Sequence, residues 1–127
     1  MKEIEKYTND LSYQIIGAAM EVHRLLGPGL LESVYEDALC VELEGREIPY
    51  ERQKDVSIWY KVRTIGNLRV DLLVDKRVIV ELKAVETLLP VHKAQVLTYL
   101  KITKLRLGLL INFNTTILKE GVERIIL

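Results

Sequence analysis

Two apolar strands joined by a charged turn, within Asn67–Glu86, constrain the fold of this chain more than any other feature. Side chains alternate between the two faces of a strand, so every second residue shares a face. A three-residue loop, Asp75–Arg77, places Val74 opposite Val78 in an antiparallel hairpin. One face of that hairpin is wholly apolar and is predicted to be core; it carries Val70, Leu72, Val74, Val78, Val80, Leu82 and Ala84.

The same register brings two carboxylates face to face. It sets Asp71 opposite Glu81, whereas a shift by one residue would put Asp71 beside Val80 and mix polar with apolar side chains. Two carboxylates directly opposite each other on a sheet repel and destabilise it. We therefore expect a compensating positive charge, from Lys83, from Arg69 or from a divalent cation.

The charged face of the hairpin is a candidate metal site. Carboxylate oxygens that converge from adjacent strands suit Mg²⁺, which typically binds one or two protein carboxylates together with water and phosphate. Lys83 lies two residues beyond Glu81 on the same face, where it can hold a phosphate or help to polarise an attacking water. The set of Asp71, Glu81, Leu82 and Lys83 suits phosphodiester hydrolysis. The alternative is an ordinary hairpin with one hydrated face, which exposure of these side chains would favour and burial would disfavour.

Length and composition indicate one soluble globular domain over residues 1–127, with 49% hydrophobic and 28% charged residues. No apolar run is long enough to cross a membrane. The polar start MKEIEKYTND lacks the apolar stretch of a signal peptide, so we expect a cytoplasmic protein. Cys40 is the only cysteine, which excludes an internal disulfide.

Charge is unevenly distributed along the chain, although the net charge is zero. Residues 1–51 hold 4 Lys and Arg against 11 Asp and Glu, and residues 52–127 hold 14 against 7. The part that contains the hairpin is thus basic, which is compatible with a phosphate-rich ligand. The pattern is weaker than that of a free-standing DNA-binding domain, which is usually basic overall.

Helical and extended patterns alternate along the rest of the chain. Apolar residues three and four apart predict two helices, one capped by Asn9 or Asp10 and ended by Gly27, the other running from the Gly27–Gly29 turn to Gly45. Further predicted elements are a strand over Asp55–Arg63, a turn over Thr64–Asn67, a helix over Val91–Thr103 and strands over Leu105–Phe113 and Val122–Leu127. The strand–helix–strand crossover predicts a mixed sheet with helices packed against it.

Three polar residues on the predicted helices are further candidates for the site. Glu32 lies in the first turn of the second helix, where the helix dipole favours an acidic residue in any case. Gln95 and Tyr99 are four residues apart on one face of the third helix and can donate hydrogen bonds to a phosphate or to a metal-bound water. Position alone fits an ordinary helix surface at all three places.

The motifs occur in a distinctive order. Residues 29–35 read G-x-x-E-x-x-Y, and they are followed by Asp71, by Glu81-Leu82-Lys83 and by Gln95-x-x-x-Tyr99. With these motifs the chain resembles the GxxExxY family, a branch of the PD-(D/E)XK nuclease superfamily, from about Leu11 to Leu127. The resemblance implies an α/β fold, in the form of an α+β mixed sheet: a restriction-endonuclease-like core with a central mixed β-sheet flanked by helices.

The resemblance also implies a role for each matched residue. The implied metal ligands are Asp71, Glu81, Glu32 and the Leu82 carbonyl, and the implied catalytic residues are Lys83, Glu32, Gln95 and Tyr99. Glu32 would complete the metal shell directly or through water. Val70 stands where the superfamily name implies a proline before the first aspartate.

Two functions are compatible with these residues. The first is a nuclease dependent on Mg²⁺ or Mn²⁺, which hydrolyses phosphodiester bonds of nucleic acid, DNA rather than RNA. The second is a catalytically silent nucleic-acid-binding or partner-dependent module on the same fold, which the neutral net charge and small size favour. A nuclease that cuts two strands can act as a homodimer or within a larger assembly, and no interface pattern is visible in the sequence.

Overall fold

The computed structural model describes residues 3–127, which form three α-helices, five strands and one short 3₁₀ helix. In chain order the elements are α1 (Lys6–Leu26), α2 (Glu32–Gly45), β1 (Tyr50–Tyr60), β2 (Arg63–Val74), β3 (Val78–Lys83), α3 (Pro90–Thr103), β4 (Leu107–Asn112), the 3₁₀ helix (Leu118–Gly121) and β5 (Val122–Ile126). This is the predicted order of helices and strands. No helix within the described residues has the length and apolar character needed to cross a membrane.

The five strands form one mixed sheet in the order β1-β2-β3-β4-β5. Neighbouring strands are antiparallel except β3 and β4, which are parallel because α3 carries the chain back between them. Helices flank the sheet on both faces: α1 and α2 contribute to one apolar cluster and α3 to the other. The predicted α+β fold with a restriction-endonuclease-like mixed sheet is confirmed.

Strand β4 is the centre of the core. All six of its residues are buried, as its nearly continuous apolar sequence predicts for a strand covered on both faces. Gly108 lets α3 approach closely, because a Cβ atom at that position would lie 2.6 Å from Cγ1 of Val96. The crossover helix therefore packs directly over β4 at this point.

Helix α1 begins earlier than predicted. It starts at Lys6, so the prediction that Asn9 or Asp10 caps it was wrong. The Asn9 side chain makes a tertiary contact instead, accepting a hydrogen bond of 2.6 Å from Nη2 of Arg124. The C-terminal end is as predicted, with Gly27 at φ 71°, a left-handed conformation that glycine adopts without strain.

The register of the central hairpin is as predicted. Val74 pairs with Val78, and the ladder between β2 and β3 continues to Leu72 and Val80. Five members of the predicted apolar face are in the cluster beneath α1 and α2, and Ala84 packs against it. Val70 was assigned to the wrong face, since it belongs to the cluster beneath α3.

The change of face between Val70 and Leu72 has a local cause in the backbone. Asp71 lies between them on β2. On the neighbouring strand β1, Gln53 lies between the two residues that pair with Val70 and Leu72. Gln53 has φ 48°, so β1 is locally distorted beside Asp71. The distortion redirects the side chains of the two strands at the position where the first candidate carboxylate lies.

The first two strands are longer than predicted and form a tight hairpin. The turn is at Lys61 and Val62, between the paired residues Tyr60 and Arg63, so the predicted turn over Thr64–Asn67 was wrong. That segment is part of β2, which accommodates a register shift opposite Ile58 and Trp59. A glycine within a strand can mark such an irregularity as well as a turn.

Candidate active site

Asp71 and Glu81 meet where the ladder between β2 and β3 ends. The Asp71 backbone N–H donates a 2.8 Å hydrogen bond to Oε2 of Glu81, and the Leu82 backbone N–H donates a 2.9 Å bond to Oδ2 of Asp71. Each carboxylate thus accepts a hydrogen bond from the backbone of the opposite strand. These crossed bonds fix both acidic side chains between the two strands.

Burial of this pair is asymmetric. Glu81 is 4% exposed, whereas Asp71 is half-buried. Burial is the main reason that the pKa of the Glu81 carboxyl is raised well above its ordinary value; the Asp71 charge raises it further, and Lys83 lowers it. The buried charged face disfavours an ordinary hydrated hairpin. With both carboxylates ionised, one nearby lysine would leave an excess of negative charge, which a proton on Glu81 relieves in the metal-free protein and which a cation could relieve in its place.

Lys83 and Glu32 lie close enough to the pair to interact with it electrostatically. Lys83 is half-buried at the end of β3. Glu32 is the first residue of α2 and is exposed. The protein atoms around its carboxyl group partly desolvate it although the residue as a whole is exposed; this desolvation and the charge of Asp71 raise the pKa of Glu32, while Lys83 lowers it. The structure therefore brings these residues, from two strands and a helix, to one region.

Tyr35 holds the loop from which Glu32 emerges. Its ring is fully buried and stacks on Phe113, with ring centres 4.5 Å apart. Its hydroxyl donates a 2.6 Å hydrogen bond to the Gly27 carbonyl and accepts one of 3.1 Å from the Leu30 N–H. The tyrosine of the G-x-x-E-x-x-Y motif thus has a structural role, fixing the entry to α2 and the position of Glu32.

The two residues on α3 differ in their relation to the site. Tyr99 is half-buried; burial, followed by the negative charges of Glu81 and Asp71, raises the pKa of Tyr99. It is therefore near the carboxylate pair. Gln95 is exposed one turn earlier on the helix, and within residues 3–127 no hydrogen bond connects it to the other candidates.

Sequence reasoning missed a polar group on the other side of Asp71. Gln53 donates a 2.8 Å hydrogen bond to Oε1 of Glu36 and a long one, 3.5 Å, to Oδ1 of Asp71. Glu36 is buried and also accepts a 2.8 Å bond from Nη2 of Arg52. The position of Glu36, one helical turn after Glu32, was a signal for it. Nothing in the sequence indicates the left-handed backbone of Gln53.

The donor set fits a magnesium-like ion with two protein carboxylates. Between residues 3 and 127, no three His, Cys, Asp or Glu side chains form a metal cluster of their own. Asp71 and Glu81 each have one oxygen that accepts no backbone bond at the site. The Leu82 N–H faces β2, and its carbonyl lies on the same side because both groups of a strand residue point the same way. Two carboxylates, a carbonyl and water make an oxygen site of the kind Mg²⁺ prefers.

Comparison with known proteins gives one match. No curated protein and no solved structure matches this chain. A family model described as the PD-(D/E)XK nuclease superfamily matches residues 9–125, a range that contains all of α2, α3 and β1 to β4, and all but the start of α1 and the last residue of β5. Enzymes of this superfamily generally use divalent metal ions. The carboxylate pair between β2 and β3, with Lys83 two residues beyond Glu81, lies within the matched range, and the chain belongs to the PD-(D/E)XK nuclease superfamily.

Proposed function

We propose that the protein is a metal-dependent nuclease that hydrolyses phosphodiester bonds of nucleic acid, with DNA as the expected substrate. The observation that carries this proposal is the pairing of half-buried Asp71 with buried Glu81, each held by a backbone N–H of the opposite strand. The crossed bonds position two acidic groups and leave their charge incompletely compensated. Superfamily membership supports the same chemistry.

Asp71, Glu81 and the Leu82 carbonyl would hold Mg²⁺ or Mn²⁺. The ion would supply a bound water of lowered pKa and positive charge at the scissile phosphate. Glu32 is exposed and stands outside a direct three-carboxylate cluster within the described residues, which supports contact with the ion through water. Its place at the start of α2 leaves its carboxyl group free to accept a proton or to orient the attacking water.

The remaining residues act on the phosphate. Lys83 is half-buried next to Glu81 and provides positive charge where negative charge develops on the phosphate oxygens. Tyr99, half-buried near the carboxylates, can donate its hydroxyl proton in a hydrogen bond to the phosphate. Gln95, exposed one helical turn earlier, would contact the next phosphate along the strand.

We also infer that the chain belongs to the GxxExxY branch of the superfamily. The contacts of Tyr35 support this assignment, because they give the last residue of the motif a physical task. The glutamate is then presented to the site by a loop that the tyrosine fixes. In this reading the motif is one unit, with Glu32 for chemistry and Tyr35 for placement.

The alternative function, a catalytically silent binding module, is favoured by two observations. The net charge is zero, and within residues 3–127 no three acidic, histidine or cysteine side chains form a metal cluster. Titration calorimetry with Mn²⁺ separates the two functions. Absence of binding at millimolar Mn²⁺, or nucleic-acid binding that is unchanged in Glu81→Gln, would favour the silent module.

The test of catalysis is cleavage of single-stranded, duplex and branched DNA and of RNA by purified protein with Mg²⁺ or Mn²⁺. We expect metal-dependent cleavage that Asp71→Ala and Lys83→Ala reduce by at least about 100-fold, because the first removes a proposed metal ligand and the second removes positive charge at the reacting phosphate. Lys119→Ala, which removes an exposed lysine on the 3₁₀ helix, is the matched control. Cleavage that survives both site substitutions would come from a contaminant and would refute the proposal.

A further inference from the structure

The turn between β1 and β2 carries an exposed apolar surface that the proposed site does not use. We call residues 59–65 the arm tip. Its bulky apolar side chains are mostly exposed to solvent, with relative accessible surface areas of 65% for Trp59, 61% for Tyr60, 87% for Val62 and 62% for Ile65. Four such side chains within seven residues exceed the scattered apolar residues that ordinary surfaces show, and clusters of this kind mark contact sites.

The arm tip extends beyond the rest of the sheet. Strand β2 pairs with β3 only from Leu72 to Val74, whereas its pairing with β1 continues to Arg63. The base of the arm is anchored, since Val56 and Ile58 pack against the cluster beneath α3. The arm therefore has a supported base and a free end.

Charge at the arm tip identifies the kind of partner. Between Val56 and Leu68 the sequence has two cations, Lys61 and Arg63, and no carboxylate. The Lys61 ammonium lies 5.5 Å from the centre of the Tyr60 ring, so cation and aromatic surface are adjacent. A second copy of the same tip would bring like charges together, which disfavours self-association. A polyanion with flat apolar groups complements both features.

Trp59 and Tyr60 are consecutive in a strand, so they lie on opposite faces of the arm. Exposed aromatic rings beside lysine and arginine are the features by which proteins bind single strands: bases stack on the rings, and phosphates contact the cations. In a duplex the bases are already stacked on each other and offer no free face. The surface therefore matches unpaired nucleotides.

We propose that the arm tip binds a single-stranded segment of the nucleic acid whose phosphodiester bond lies at Asp71 and Glu81. This inference rests on the proposed nuclease function and specifies its substrate class. Arg63 precedes Asp71 by eight residues of β2, which at about 3.3 Å per residue places the tip roughly 26 Å from the site. The substrate would thus be a strand long enough to span that distance.

The test uses the intrinsic fluorescence of Trp59, the only tryptophan of the chain. An oligothymidine strand is titrated into the protein in the presence of EDTA, so that no cleavage occurs. We expect quenching of the emission, because a stacked base contacts the indole. Labelled oligothymidine gives the affinity of variants, and Trp59→Ala should weaken it by about 5- to 100-fold. Trp59→Phe keeps a ring and should restore most of the affinity.

Charge and selectivity give two further measurements. Lys61→Gln with Arg63→Gln should reduce the slope of log K against log salt concentration by about 1.4, the value for two phosphate contacts on a single strand. A duplex of equal length should bind more weakly than the single strand. Ile117→Ala, which removes an exposed apolar side chain elsewhere, should change neither value.

Several results would overturn the inference. These are unquenched emission, a Trp59→Ala affinity equal to that of the unmodified protein, and preference for the duplex. A dimer that Trp59→Ala dissociates in sedimentation experiments, with oligothymidine binding unchanged, would assign the surface to a second copy instead. Binding in EDTA is measured independently of catalysis. If the protein binds oligothymidine through the arm tip but cleaves nothing, only the nuclease proposal is refuted. If it cleaves nucleic acid without using the arm tip, only this inference is refuted.

Discussion

Replacing Glu81 with glutamine should stabilise the metal-free protein while abolishing metal binding. The Glu81 carboxyl is 4% exposed, and burial together with the Asp71 charge raises its pKa from 4.5 to about 8. Between these two values the folded protein holds a proton that the unfolded chain has lost, so the free energy of unfolding falls as the pH rises through this window. At pH 7 the loss is about 3 kcal/mol if the whole shift acts on stability.

Glutamine removes this titration and retains the shape of the side chain. Its amide oxygen can still accept the hydrogen bond of the Asp71 N–H, and its amide N–H groups can donate to the Asp71 carboxylate. We expect Glu81→Gln to increase the free energy of unfolding by about 1–3 kcal/mol at pH 7 to 8 and by less than about 1 kcal/mol at pH 4.5.

Urea unfolding with a chelator present, at pH 4.5, 7 and 8, measures this difference. Added Mn²⁺ should then stabilise the unmodified protein, by about 2.7 kcal/mol at a hundredfold excess over its Kd, and leave Glu81→Gln unchanged. Glu86→Gln replaces an exposed glutamate and should alter neither quantity. A Glu81→Gln protein that is destabilised at pH 8, or whose stability difference is the same at pH 4.5 and pH 8, would refute the reasoning.

Three further predictions concern residues that position the site or the sheet. Gln53→Gly and Gln53→Ala both remove the side-chain amide beside Asp71, and only the glycine also relieves the strain of the left-handed backbone. Calorimetry should therefore show Mn²⁺ affinity reduced several-fold to about 10-fold in both variants. Unchanged affinity would exclude a role of Gln53 in positioning Asp71. Tyr35→Phe leaves the Gly27 carbonyl and Leu30 N–H without their partner and should lower the free energy of unfolding by about 1–3 kcal/mol in urea, with cleavage reduced as well; an unchanged midpoint would contradict it. Gly108→Ala puts a methyl group 2.6 Å from Cγ1 of Val96 and should lower the free energy of unfolding by about 1–3 kcal/mol in the same assay. Adding Val96→Ala should recover part of that loss, whereas additive losses in the double variant would count against a steric cause.

The sheet was predictable wherever apolar alternation and loop length acted together. For the central hairpin, three loop residues and a continuous apolar face left one register, and the ladder from Val74–Val78 to Leu72–Val80 follows it. The same information failed for the first hairpin. There Gly66 and Asn67 have the composition of a turn, but pairing with β1 within the hairpin keeps them extended.

The candidate site was predictable where sequence spacing determines spatial neighbours. Asp71 and Glu81 follow from the register, and the G-x-x-E-x-x-Y motif identifies Glu32. The contact of Gln53 with Glu36 could not be predicted, because it depends on how α2 packs over β1 and on an unusual backbone conformation. Tertiary packing of this kind has no periodic signal in the sequence.

The crossed hydrogen bonds make two backbone amides natural reporters of the site. In most of the sheet, main-chain carbonyls accept the amide protons, but those of Asp71 and Leu82 are bonded to acidic side chains. Capture of an ion by those side chains must therefore change how strongly the two protons are protected from solvent. Their hydrogen-exchange rates, compared with those of neighbouring ladder amides, would register occupancy in solution even on a protein that has no substrate bound.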